Sequence, residues 1–73
     1  MAKLPVCSGE QAVKAFVKAG WKKARQKGSH VTLTKPSNPV VLTIPLHKEL
    51  KPGLLRGLIR SAGLSVDEFI AML

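Results

Sequence analysis

The sequence has two histidines, the side chains best suited to moving a proton near neutral pH, and they stand in different settings. His30 follows Lys27-Gly-Ser29 and opens the alternating run His30-Val-Thr-Leu-Thr34, whereas His47 follows Pro45 at the end of another apolar run. Phosphodiester cleavage by a ribose 2′-hydroxyl needs such groups, because a proton must leave the attacking oxygen and another must reach the departing one. Arg25 and Lys27 lie close enough in sequence to hold phosphate charge beside His30. Positive surroundings disfavour the imidazolium until an anion arrives and partly reverses the effect. From type and spacing alone, a solvated strand histidine or a simple RNA contact explains His30 more economically than catalysis. His47 reads as structural or solvent-facing, and sequence separation does not place the two rings on one phosphate.

Other chemistries find less support. Cys7 is the single cysteine, which excludes an intrachain disulfide and reads as a reduced, partly buried thiol. A two-histidine metal site would lack a third ligand, since Asp67 and Glu68 are committed to a helix start; no metal and no cofactor are expected. Dinucleotide, phosphate-loop, CxxC and hydrolase-elbow patterns are absent.

The basic residues carry more information as a surface. Lys22, Lys23, Arg25 and Lys27 form one concentration, and Lys48, Lys51, Arg56 and Arg60 a second. Lysine and arginine contact phosphates without reading bases, so these groups suit nucleic acid, although each lysine alone is explained by solubility. Phe16 and Phe69 read as internal, which leaves Trp21 as the sole candidate for base stacking.

Positioning these side chains requires a small scaffold. Ser8-Gly-Glu-Gln11 is a capping box that predicts a helix over residues 9–19, with Val13, Phe16 and Val17 as its apolar stripe and Gly20 at its end. Trp21 to Arg25 gives a weak strand, Gln26-Lys-Gly28 a turn, and His30 to Thr34 a better strand with Val31 and Leu33 facing one way. Lys35 to Pro39 reads as a loop, and Val40 to Ile44 as a third strand burying Leu42 and Ile44. Pro52 opens a second helix that buries Leu55, Leu58, Ile59 and Ala62, closed by Gly63 with Leu64 folded back. Ser65-Val-Asp-Glu68 caps a short last helix anchored by Phe69, Met72 and Leu73. The helices would cover one sheet face and leave His30 and Thr32 on the other.

Length and charge bound the function. Seventy-three residues support one domain, 1–73, with a thin core, and exclude a multidomain enzyme. Twelve Lys/Arg against four Asp/Glu give +8, which favours a polyanion or an acidic protein partner. No apolar run approaches the roughly 18 residues of a membrane span, and no leader pattern is evident; a cytoplasmic location is expected.

Gly20-Trp21, Arg25-Gln-Lys-Gly-Ser-His30, Ile44-Pro-Leu-His47, Leu50-Lys-Pro-Gly-Leu-Leu-Arg56 and Ser61-Ala-Gly-Leu-Ser65, in this order, resemble the HicA family of type II toxin–antitoxin systems. The resemblance implies an α+β fold like the double-stranded-RNA-binding domain, α-β-β-β-α with a short C-terminal helix. It implies a ribonuclease toxin that cleaves mRNA with His30 as its catalytic histidine, and the mechanism expected here is metal-independent transesterification. Gly28 would permit the turn into the strand, Ser29 would orient phosphate or loop, and His47 matches the family's Pro-x-His histidine, with at most an auxiliary role. Val31 departs from the histidine or aromatic residue that many relatives carry there, which puts further catalytic or stacking roles at that position in doubt. The implied partner is a HicB-type antitoxin, with a higher-order toxin–antitoxin assembly left open. The rival readings are a noncatalytic RNA-binding module and, more remotely, a helix-turn-helix DNA binder built on residues 55–62 and the helix after Ser65.

Overall fold

A computed structural model describes residues 3–73. The chain runs α1 (Gly9–Lys18), β1 (Lys22–Lys27), β2 (His30–Lys35), β3 (Asn38–Pro45), α2 (Pro52–Ser61) and α3 (Val66–Met72). The starts of α1 and α3 are set locally. The Ser8 hydroxyl accepts the Gln11 N–H at 3.1 Å while Gln11 Oε1 accepts the Ser8 N–H at 2.9 Å. Ser65 and Glu68 repeat this reciprocal pair at 3.1 and 2.8 Å, satisfying N–H groups that the helix itself leaves open. Helices α1 and α2 end alike: Gly20 and Gly63 take positive φ, and the following N–H groups of Trp21 and Leu64 return to the carbonyls of Phe16 and Ile59.

The strands form one antiparallel sheet in the order β1-β2-β3. Val31 pairs with Ile44 and Leu33 with Leu42, so four apolar side chains share one face. They join Ala12, Phe16, Leu55, Leu58, Ile59 and Phe69 in a single core cluster, with α3 held to α1 by the Phe16–Phe69 ring pair at 5.1 Å. Each fully buried large side chain of this kind contributes about 1.5–3 kcal/mol. This is the small α+β, double-stranded-RNA-binding-like architecture that the sequence implies. The three-stranded sheet, which a helix-turn-helix reading leaves unexplained, shares one core with α2.

Several boundaries differ from expectation. Trp21 is buried at the end of α1, and β1 continues through Gln26 to Lys27. Lys27 then pairs with His30 across a turn of only Gly28 and Ser29. The second hairpin is equally tight, with Ser37 at φ 63 and β3 starting at Asn38, so Pro39 lies within an edge strand, where its missing N–H is tolerated. In α1 the buried residues are Gly9, Ala12, Ala15 and Phe16, while Val17 is 46% exposed. Small side chains let the helix lie close to the sheet and roll Val17 outward. Leu73, expected as an anchor, is 47% exposed; Phe69 supplies that anchorage.

Gly28 has φ 59 at the first turn position, as a two-residue type II′ hairpin demands. A Cβ there would meet nothing within 4 Å, so the cost of Gly28→Ala is conformational. We expect about 1–2 kcal/mol, which lowers the thermal midpoint by roughly 4–16 °C. A melt with an unchanged midpoint would show that the turn does not require glycine.

Candidate nucleic-acid interface and proton-transfer site

His30 is the first residue of β2, exposed, and held from both sides: Lys27 pairs with it from β1 and Pro45 from β3. Its neighbour Val31 is 1% exposed and faces the helices. Alternation along the strand therefore turns the imidazole to the uncovered face, together with Thr32 and Thr34. The turn behind it is braced by the Gln26 side chain, whose Nε2 donates to the Gly28 carbonyl at 3.2 Å. Sequence reasoning missed that contact, and nothing local signals it. Ser29 is fixed in the same turn, its carbonyl accepting the Leu46 N–H at 2.6 Å.

The cations around His30 are arranged by an irregularity. Lys22 pairs with Thr34, Arg25 with Thr32 and Lys27 with His30, and the register shifts between Lys23 and Arg25. In a regular strand, residues three apart point to opposite faces. The extra residue Ala24 makes a bulge that resets the alternation, so Lys22, Arg25 and Lys27 all share the face of His30. None of the four acidic residues lies on a strand, and the one ion pair among the described residues, Lys14–Glu10, is on α1. The uncovered sheet face is thus positive without internal compensation.

The remaining expected contacts divide. Lys23 pairs with Leu33 and borders a shallow pocket with Glu10 and Val13, on the helix side. Lys48 and Lys51 are exposed in the β3–α2 connection, with His47 exposed just ahead of Lys48. Arg56 lies on α2 beside Arg60, along a groove with Ile59 and Leu64, away from the sheet face. Trp21 is 1% exposed, with Lys35 Nζ 6.0 Å above its ring, so it offers no face to a base. No group of three His, Cys, Asp or Glu side chains is placed to hold a metal among the described residues.

Cys7 is buried, and desolvation pushes its thiol above the ordinary value. The folded state therefore favours the neutral thiol, and this stability is present below the unfolded pKa of about 8.5 and lost as pH rises beyond it. We expect the unfolding midpoint to fall as pH rises through and beyond that value, with the decline flattened in Cys7→Ala. An equal decline in the variant would assign it to other groups.

The family model for the HicA toxin of bacterial toxin–antitoxin systems matches residues 9–64. A chain in a solved toxin–antitoxin complex from Streptococcus pneumoniae is 38% identical, with 78% of this chain and 97% of that one covered at a TM-score of 0.68. A search of curated proteins gave no match. The matched residues 9–64 contain the whole sheet, His30, His47 and α2.

Proposed function

The chain belongs to the HicA toxin family, and from that premise we propose that it is a metal-independent endoribonuclease that cuts mRNA, with His30 moving a proton in the reaction. The observation that carries this reading is the exposed imidazole on a sheet face that also bears Lys22, Arg25 and Lys27. A ribose 2′-oxygen attacks the adjacent phosphorus and the bond to the 5′-oxygen breaks, leaving a 2′,3′-cyclic phosphate and a 5′-hydroxyl. The three cations stabilise the charge on the non-bridging oxygens. Lys48 and Lys51 extend the positive field beyond the β3 end of the sheet, and Ser29 orients the phosphate at the turn. Lys23 and Arg56 stand off this face and act as peripheral contacts.

Incubation of the purified protein with single-stranded RNA and excess chelator tests this reading. Cleavage with cyclic-phosphate ends is expected; loss of cleavage on chelation would remove metal independence, and binding without cleavage would select a noncatalytic RNA-binding module. Each phosphate contact to a single strand adds about 0.7 to the slope of log K against log salt. Replacing Lys22, Arg25 and Lys27 together with glutamine should reduce that slope by about 2, whereas Lys23→Gln changes it less than Lys27→Gln. A slope unaltered in the triple variant would place the RNA elsewhere.

Pairing with a HicB-type antitoxin is typical of the family. We propose that such a partner covers the basic face with opposite charge and excludes RNA. Co-expression of toxin and antitoxin should give a complex without ribonuclease activity; recovery of free, active toxin from that preparation would contradict it.

A further inference from the structure

We propose that His47 is the second proton-transfer group of this reaction, acting with His30 on one phosphodiester; this rests on the RNA-cleaving reading above. The sheet continues past its last paired strand residue. His30 pairs with Pro45, and beyond them the Leu46 N–H donates to the Ser29 carbonyl at 2.6 Å. Hydrogen-bonded and non-bonded pairs alternate in an antiparallel ladder, so the bond at Ser29–Leu46 makes His30–Pro45 a non-bonded pair. The missing N–H of Pro45 then costs nothing on that side, and the two Cα atoms approach to about 4.5 Å. Leu46 turns inward, where it lines the same shallow pocket as Val31. His47 lies two residues past the end of β3 with its side chain exposed, and carrying the strand alternation on through Leu46 puts it on the face of His30. In that register it is the diagonal cross-strand neighbour of His30, a relation that spans about 7–8 Å in an antiparallel pair and that two imidazoles can bridge through a phosphate. The His47 backbone is also pinned, its carbonyl accepting the Gly9 N–H at 2.9 Å.

The protons balance with two rings. One imidazole enters neutral and takes the 2′-hydroxyl proton as the O2′–P bond forms. The other enters protonated and gives its N–H proton to the 5′-oxygen as the P–O5′ bond breaks. The rings have then exchanged states, and water resets them.

The test compares the wild-type chain, H30A and H47A under single turnover on an RNA that the wild type cuts. A second substrate carries sulfur in place of the 5′-oxygen at the mapped cut, since sulfur departs without a proton. H47A should slow cleavage of ordinary RNA by about 10²–10⁴-fold, and each substitution should remove one limb of a bell-shaped pH–rate profile. One variant, and only one, should recover on the sulfur substrate, which identifies the acid. The exposed side chain predicts an H47A melting temperature equal to that of the wild type. Active wild type with H47A unaffected, or with H47A slow but both limbs retained and only H30A altered by sulfur, overturns the role of His47 alone. Wild type that leaves RNA intact, or H30A as active as wild type, removes the parent reading.

Discussion

Replacing Gly9 with alanine is expected to lower the thermal midpoint by at least about 12 °C, a larger effect than any surface substitution should produce. A Cβ at this position would lie 2.0 Å from the Pro45 carbonyl oxygen and 2.9 Å from Leu46 Cα. Both obstacles are backbone, so no rotamer change relieves them. Relief requires the start of α1 to move off the end of β3. That motion stretches the Gly9 N–H to His47 carbonyl bond and the Leu50 N–H to Cys7 carbonyl bond, both 2.9 Å. Overpacking costs about 1–3 kcal/mol and each lost hydrogen bond about 1 kcal/mol, giving roughly 3–5 kcal/mol. A chain of this length has a total stability of about 4–11 kcal/mol. Gly57→Ala is the counterpart: it lies within α2, and its Cβ would meet nothing within 4 Å. That substitution should stabilise by about 0.5–1 kcal/mol. Two identical substitutions with opposite signs separate close approach from helix propensity. Equal midpoints for Gly9→Ala and the wild type would mean that α1 and β3 do not touch here.

Substituting His30 with alanine is expected to reduce RNA cleavage by about 10²–10⁴-fold while leaving the fold intact. The ring is exposed and makes no packing contribution to the core cluster, so its removal leaves no cavity. RNA affinity should change little, because the phosphate-holding charge comes from Lys22, Arg25 and Lys27. This division of labour between one proton-transfer side chain and several positioning cations distinguishes a nuclease from a binding module. A variant that bound RNA far more weakly yet cleaved normally at saturation would reverse the assignment.

The outward direction of His30 was legible in the sequence because Val31, Leu33, Leu42 and Ile44 alternate cleanly, and their burial dictates the opposite face. The helix starts were legible because a capping box is a contact between residues three apart. Apart from the local Gln26–Gly28 brace, what could not be read depends on contacts between distant segments. The bulge at Ala24, which gathers three cations on one face, is a fact of register with β2. The Pro45 partner of His30, and the Leu46–Ser29 hydrogen bond beyond it, likewise follow from the β2–β3 pairing. The rolling of α1, which exposes Val17 and buries Ala12 and Ala15, follows from how closely the helix meets the sheet. Helical periodicity marks an apolar stripe, but it does not say which margin of that stripe the core will take.

The proposed reaction requires that an imidazole on a positive, uncovered sheet face move a proton during attack by a ribose hydroxyl. Its most direct measurement is the single-turnover rate of the wild type and H30A with chelator present, each at RNA concentrations that saturate binding. The expected wild-type rate is at least about 100-fold above that of H30A, on a strand whose 2′-deoxy analogue at the cut is bound but not cleaved. Equal rates for the two proteins at matched occupancy, or cleavage of the 2′-deoxy strand, would contradict it.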